Sequence, residues 1–248
     1  MADRNKIVKF MSDYLKVDKF QDDCFNGLQI EGKSEVKKII TGVSLSEKFI
    51  QKAIEKKADM ILVHHGLFSK HFGELPRIIG HRKNRLKLIL TNDINLCGFH
   101  LPLDAHPKIG NNISLCNLFG IKKITPLEVG FYGELQTEIN FEKLVDLVKE
   151  KIHPNPYVIP AGPKKVKRIG IISGGSSPEV KYAIEARCDT YICGDIREHT
   201  VREIEEVKIN FINAGHYNTE KLGIQNLGEL VSQKFKIPVE FVDIPNDI

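Results

Sequence analysis

The chain has 248 residues, of which 42% are hydrophobic and 27% charged, which suits one large α/β domain or two smaller ones. The formal net charge of +4 is compatible with anionic substrates or nucleic acid but is diagnostic of neither. The five cysteines form no Cys-x-x-Cys pair, which argues against a thiolate zinc site. The N-terminus resembles no signal peptide and no apolar run reaches a membrane span, so we expect a soluble cytoplasmic protein without membrane contacts.

The first informative element is a hydrophobic run, Met60–Val63, that ends in His64 and His65. The run predicts a buried strand of an α/β sheet, and such sheets place their ligands beyond the carboxyl ends of the strands. Neighbouring side chains of a strand point to opposite sides, so either the backbone turns after His64 or the two rings serve different centres. The simpler alternative is one structural histidine beside an exposed one.

A second predicted strand, Ile94–Cys97, is followed by His100 and Asp104. The next elements predicted from the sequence are a strand, a helix and a short strand, over 129–138, 141–151 and 156–159.

Residues 36–66 align without a gap with residues 166–196, and each copy predicts a strand, a turn, a helix and a strand. Asp59 matches Asp189, whereas the histidine pair is replaced by Gly194 and Asp195. Such units favour parallel strand pairing.

After the second copy, a strand over 209–213 leads to His216 and Glu220, which repeats the spacing of His100 and Asp104. We therefore predict an α/β protein of two similar, interlinked lobes produced by an internal duplication. The lobes are residues 1–124, with the histidine pair and Asp104, and 125–248, with His216 and Glu220. A metal site would lie between them, at the carboxyl ends of the strands.

Imidazole and carboxylate ligands without thiolates suit zinc, iron, manganese or nickel. Six candidate ligands are too many for one ion and reasonable for two, and a hydroxide formed between two metals can attack a phosphorus or carbon centre. The alternative for His216 and Glu220 is a core histidine beside an ordinary carboxylate of a first helical turn.

Several short motifs, in this order, resemble those of the NIF-three-like family, often labelled "GTP cyclohydrolase 1 type 2". They are Asn26-Gly27-Leu28-Gln29, His64-His65-Gly66-Leu67-Phe68, His100-Leu101-Pro102-Leu103-Asp104 with Gly110-Asn111-Asn112, Gly133-Glu134-Leu135 and Gly215-His216-Tyr217-x-x-Glu220.

The resemblance implies two divalent metal ions per chain, bound by His64, His65, Asp104, His216 and Glu220, with Glu220 as the bridge. It leaves His100 as a general acid or base, or else as a histidine that orients the turn. It also implies a ring-shaped homohexamer.

Two functions follow as hypotheses. The first is a metal-dependent hydrolase acting on a nucleotide-like or other phosphorylated small molecule, of which the GTP cyclohydrolase label is one version. The second is a non-catalytic DNA-binding or regulatory protein in which the metal pair is structural.

Overall fold

The structure is a computed structural model that describes residues 1–69 and 77–247. The chain divides into two compact units. The first contains Met1–Leu103 and Gly223–Ile244, and the second contains Asp104–Leu222 with the chain end from Pro245. The predicted lobes, 1–124 and 125–248, were defined by the repeated sequence rather than by compactness, and they stay a prediction.

The first unit alternates strands and helices along the chain. Its elements are β1 (Ala2–Asp3), α1 (Arg4–Leu15), β2 (Gly27–Ile30), β3 (Glu35–Val36), β4 (Ile39–Ser44), α2 (Glu47–Glu55), β5 (Met60–His65), α3 (Gly80–Thr91), β6 (Asn95–Gly98) and β13 (Val239–Phe241). Two further helices, α4 (Leu101–Asp104) and α10 (Lys221–Phe235), begin in one unit and end in the other.

The main sheet of the first unit has the strand order β13-β4-β5-β6-β2. The first four strands run parallel, and β2 is antiparallel to β6 at the edge. The central strand is apolar and fully buried from Met60 to Val63, as expected for a strand covered on both faces. Ser46 caps the helix α2 before it, because its Oγ accepts a hydrogen bond from the amide of Phe49 at 3.2 Å.

The second unit is built mainly from strands and short helices. Its elements are α5 (Asn111–Leu118), β7 (Lys122–Leu127), β8 (Gly130–Asn140), α6 (Phe141–Lys151), β9 (Tyr157–Pro160), β10 (Lys165–Ile171), α7 (Val180–Glu185), β11 (Thr190–Cys193), α8 (Glu198–Val207), β12 (Asn210–Asn213) and α9 (His216–Thr219).

Its sheet has the order β7-β8-β10-β11-β12-β9. The three central strands β10, β11 and β12 run parallel, and β9 is antiparallel to β12 at the edge. The first unit has the same arrangement in β4, β5, β6 and β2. This shared topology is what a duplication would leave, and the predicted α/β class is confirmed.

Matching carboxylates hold the same backbone turn in both units. Asp59 accepts hydrogen bonds from the amides of residues 37–38 at 2.8 and 3.2 Å, and Asp189 accepts from those of residues 167–168 at 2.6 Å each. Each aspartate directly precedes a central strand and binds backbone amides of the neighbouring one, just before β4 in the first unit and within β10 in the second. The aspartate that the two repeats share is therefore a structural residue.

Three observations bear on the remaining expectations. Within residues 1–69 and 77–247, no helix is long and apolar enough to cross a bilayer. All five cysteines are free thiols, and burial raises the pKa of Cys97 and Cys116 to about 12. Glu220, for which the alternative was a carboxylate in a first helical turn, lies between the short helix α9 and the helix α10, which begins at Lys221.

Candidate metal centre

Three histidine rings meet at the carboxyl edge of the first sheet. His64 and His65 are the last residues of β5, and His100 follows the parallel neighbour β6. One nitrogen of each ring lies within 4.8 Å of a nitrogen of the other two. The ring centroids are 4.6 Å apart for His64 and His65, and 5.1 and 5.6 Å from each of these to His100.

The strand continues through both residues of the histidine pair, so the backbone does not turn after His64. The sequence predicts that neighbouring side chains diverge, yet the centroid distance of 4.6 Å shows that the two rings converge. Their positions alone therefore do not assign one ring to each of two metals.

Hydrogen bonds orient each of the three rings through its Nδ1 atom. His64 is fully buried, and its Nδ1 lies 2.8 Å from the carbonyl oxygen of Phe99. A carbonyl only accepts, so Nδ1 of the neutral ring carries the proton and Nε2 carries the lone pair. The Nδ1 of His65 lies 2.9 Å from Oγ of Ser44, at the end of β4. Histidines that bind metals are commonly held in this way.

The ring of His100 is held by a carboxylate that sequence reasoning missed. Its Nδ1 lies 2.9 Å from Oδ1 of Asp22, which is 9% exposed. Burial by itself raises the pKa of Asp22, but the hydrogen bond and charge of His100, with hydrogen bonds from Asn26 and Cys24, outweigh it. They hold the pKa of this carboxyl well below its usual range. The only signal in the sequence was the nearby Asn26 motif.

Two residues of the Asn26-Gly27-Leu28-Gln29 motif form hydrogen bonds with the segments that follow β5 and β6. Oδ1 of Asn26 accepts a hydrogen bond from the amide of His100 at 2.7 Å. Oε1 of Gln29 accepts from the amides of Leu67 and Phe68 at 2.7 and 3.3 Å. A Cβ on Gly98 would lie 2.8 Å from Nε2 of Gln29, so this amide fits only against glycine.

The second unit contains two buried carboxylates and one imidazole among the predicted ligands. Asp104 and Glu220 are 4% and 3% exposed, and one oxygen of each lies within 4.8 Å of the other. Oδ1 of Asp104 accepts hydrogen bonds from Nδ2 of Asn111 at 2.8 Å and from Oγ of Ser173 at 3.1 Å. Nε2 of His216 lies 3.2 Å from Oε2 of Glu220. The predicted ligands of this unit therefore lie close together.

Two glycines allow the backbone to approach these ligands. Gly174 has a φ of +69°, and a Cβ there would overlap the carboxylate of Glu220 and lie 3.2 Å from Nε2 of His216. A Cβ on Gly194 would lie 2.7 Å from Cα of His216. Because Gly194 is the counterpart of His64 in the repeat, the second unit has no room for a histidine at that position. Its neighbour Asp195 accepts a hydrogen bond from the amide of Ser177 at 2.7 Å.

The whole chain is similar to a known protein family and to individual bacterial proteins. The profile of a family described as Duf34/NIF3 (NGG1p interacting factor 3) matches residues 2–247. A protein of Haemophilus influenzae named "GTP cyclohydrolase 1 type 2 homolog" is 41% identical, over 97% of this chain and 98% of its own. A protein of Escherichia coli K12 with the same name is 40% identical, over 89% of this chain and 90% of its own.

Solved structures have the same fold along the whole chain. A structural-genomics structure described as "protein ybgI, unknown function" has a TM-score of 0.95 and 36% identity, covering 100% of both chains. The protein TTHA1606 from Thermus thermophilus has a TM-score of 0.93 and 33% identity, again covering 100% of both chains. The fold and a substantial part of the sequence are thus shared with these proteins.

Proposed function

The chain belongs to the Duf34/NIF3 family, and on that basis we propose that it is a metal-dependent hydrolase with two divalent ions per chain. The ions would be zinc, iron, manganese or nickel. The ligands would be His64, His65, Asp104, His216 and Glu220, with Glu220 as the bridge. The substrate would be a nucleotide-like or other phosphorylated small molecule, in keeping with the name of the bacterial relatives.

The observation that carries this proposal is the pair of buried carboxylates. Asp104 and Glu220 are at most 4% exposed and have oxygens within 4.8 Å of each other. Two buried carboxylates this close together can offer oxygens to the same cation or to two neighbouring ones. The surrounding ligand atoms are nitrogens and oxygens, which suit divalent ions of borderline hardness.

The histidines of the first unit fit the same role. His64 is fully buried, and the hydrogen bond from its Nδ1 to the carbonyl oxygen of Phe99 leaves the lone pair on Nε2, where it can bind a cation. The side chain of His216 is more exposed, at 41%, so a metal ion bound by this residue would be accessible to a substrate.

The residues divide the chemistry between them. Bound divalent ions lower the pKa of a coordinated water and so supply a nucleophile near neutral pH. Asp104 is kept in place by Asn111 and Ser173. We propose that His100, whose proton position is set by Asp22, transfers a proton during the reaction.

The test is a turnover screen of the metal-loaded protein against nucleotides, phosphodiesters and amides. We expect His65→Ala and Glu220→Ala to abolish both turnover and tight metal binding. His81→Ala and Glu206→Ala serve as matched controls, because both residues are exposed, and they should leave activity unchanged.

Two results would count against the hydrolase. Turnover that survives both ligand substitutions would show that the metals are not needed. Metal-dependent stability without turnover of any substrate, together with DNA affinity that falls with salt, would favour the regulatory function instead.

A further inference from the structure

We propose that Asp22 is a positioning residue that fixes His100 in the tautomer with its proton on Nδ1, so that Nε2 can accept a proton or bind a cation. The inference deepens the proposed function and rests on it only where metal binding is concerned. It assigns a role to a residue outside the ligand motifs, in the loop between α1 and β2.

The carboxylate of Asp22 is held from several directions. Oδ1 accepts a hydrogen bond from the amide of Cys24 at 2.9 Å in addition to the contact with His100. Oδ2 accepts from the amide of Leu101 at 3.0 Å and from Nδ2 of Asn26 at 2.8 Å. The donors come from its own loop and from the start of α4, so the group is fixed relative to the ring that it contacts.

A carboxylate in this place has a chemical consequence for the ring. An ionised carboxylate only accepts hydrogen bonds, so the nitrogen facing it must carry a proton. The buried ring of His64 faces a carbonyl oxygen, which imposes the same tautomer. The hydroxyl of Ser44 beside His65 can donate or accept and imposes neither. Two of the three converging rings are therefore fixed with their proton on Nδ1.

Asp22 does not bind a metal itself in this arrangement, although Asp22, Cys24 and His100 each offer a ligand atom within 4.8 Å of the others. Both carboxylate oxygens already accept hydrogen bonds from backbone amides, and a cation would have to compete with those donors. The geometry thus favours support of His100 over a second metal site.

Substitution separates this role from a merely structural one. Asp22→Asn keeps the size of the side chain but introduces an amide that can donate to Nδ1, which would move the proton to Nε2. Asp22→Glu keeps an ionised acceptor. Asn26→Ala is the structural control: it removes the hydrogen bond to the His100 amide and one of the bonds that hold Asp22, but it leaves the contact of the ring with the carboxylate of Asp22.

The experiment measures the tautomer directly in the full-length, metal-free protein. Long-range ¹H–¹⁵N correlation spectra at a pH where imidazole is neutral distinguish the two forms, and His100→Gln assigns the signals. We expect the Nδ1–H form in the wild type, Asp22→Glu and Asn26→Ala, and loss of that form in Asp22→Asn. An Nε2–H form in the wild type or in Asp22→Glu would overturn the proposal.

Titration with Mn²⁺ gives a second readout. We expect Asp22→Asn to weaken Mn²⁺ binding by roughly 10- to 100-fold, and Asn26→Ala to weaken it much less. If the wild type binds no Mn²⁺, the proposed metal centre is wrong. The tautomer measurement still tests the role of Asp22 in that case. If Asp22→Asn does not fold, the wild type and Asp22→Glu decide, and an Nε2–H form in either one overturns the proposal.

Discussion

At the scale of single residues, a comparison of two glycines with nearly the same positive φ shows what Gly174 contributes to the site. Gly174 and Gly120 have φ values of +69° and +70°. A Cβ on Gly120 would meet nothing within 4 Å, whereas one on Gly174 would overlap the carboxylate of Glu220. The backbone strain of an added side chain is therefore shared by the two positions, and the crowding of the ligands belongs to Gly174 alone.

We predict that Gly120→Ala lowers the free energy of unfolding by about 1 kcal/mol through backbone strain. Gly174→Ala should cost a further ~1–3 kcal/mol because the methyl group displaces Glu220. It should also weaken Mn²⁺ binding, which Gly120→Ala should leave intact. Urea denaturation and metal titration of both variants are the measurements, and equal losses in the two would refute the role assigned to Gly174.

At the scale of elements, an aspartate in each unit connects two neighbouring central strands through hydrogen bonds from backbone amides to its carboxylate. In the first unit Asp59 holds the amides of residues 37–38 and lies 2.8 Å from Nζ of Lys33. Burial by itself raises the pKa of Asp59, but Lys33 and the backbone amides outweigh it and lower that pKa. The interactions of Asp59 with these amides and with Lys33 therefore depend on an ionised carboxylate.

We predict that Asp59→Asn lowers the free energy of unfolding by about 1 kcal/mol at neutral pH. The folded-state pKa lies below that of the unfolded chain, so the stabilisation is complete above the unfolded value of roughly 3.9 and is lost as the pH falls through the folded value. Wild type and variant should therefore converge in acid, as chemical denaturation at several pH values would measure. Asp146→Asn, on an exposed aspartate of α6, is the control, and a difference that persists unchanged in acid would contradict the prediction.

The sequence predicts elements well where a pattern is local. The central strands and the helix over 141–151 follow from apolar runs and helical spacing, and they lie where expected. It does not predict the pairing of β13 with β4, because contacts between distant segments leave no local periodicity. Asp22 was missed for the same reason: its partner His100 lies far along the chain, and a single aspartate in a loop carries no pattern of its own.

At the scale of the whole molecule, the candidate ligands are divided between two compact units with the same central sheet arrangement. His64, His65 and His100 belong to the first unit, and Asp104 and Glu220 belong to the second. The sequence motifs predict the residues but not how many chains assemble, because that depends on surfaces without a motif.

The family resemblance leads us to predict a hexamer. Sedimentation equilibrium should then give a mass about six times that of the 28.1 kDa chain, independent of added metal. A mass equal to one or two chains over the micromolar range would contradict this prediction.

We predict that residues of both units serve one metal centre, which a double-mutant cycle can test. If Glu220 bridges two ions, Glu220→Ala removes most of the stabilisation that the metals provide, about 2.7 kcal/mol for each ion when the free metal is 100 times its Kd. His65→Ala should likewise remove most of it, and the double variant should lose no more than either single variant. The measurement is the metal-induced change in the free energy of unfolding for the wild type, both single variants and the double variant.

The matched cycle of His81→Ala and Glu206→Ala should leave the metal effect unchanged. If the losses for His65→Ala and Glu220→Ala simply add, the two units bind metals independently. Two residues that bind the same ion cannot each remove the full stabilisation that the ion provides.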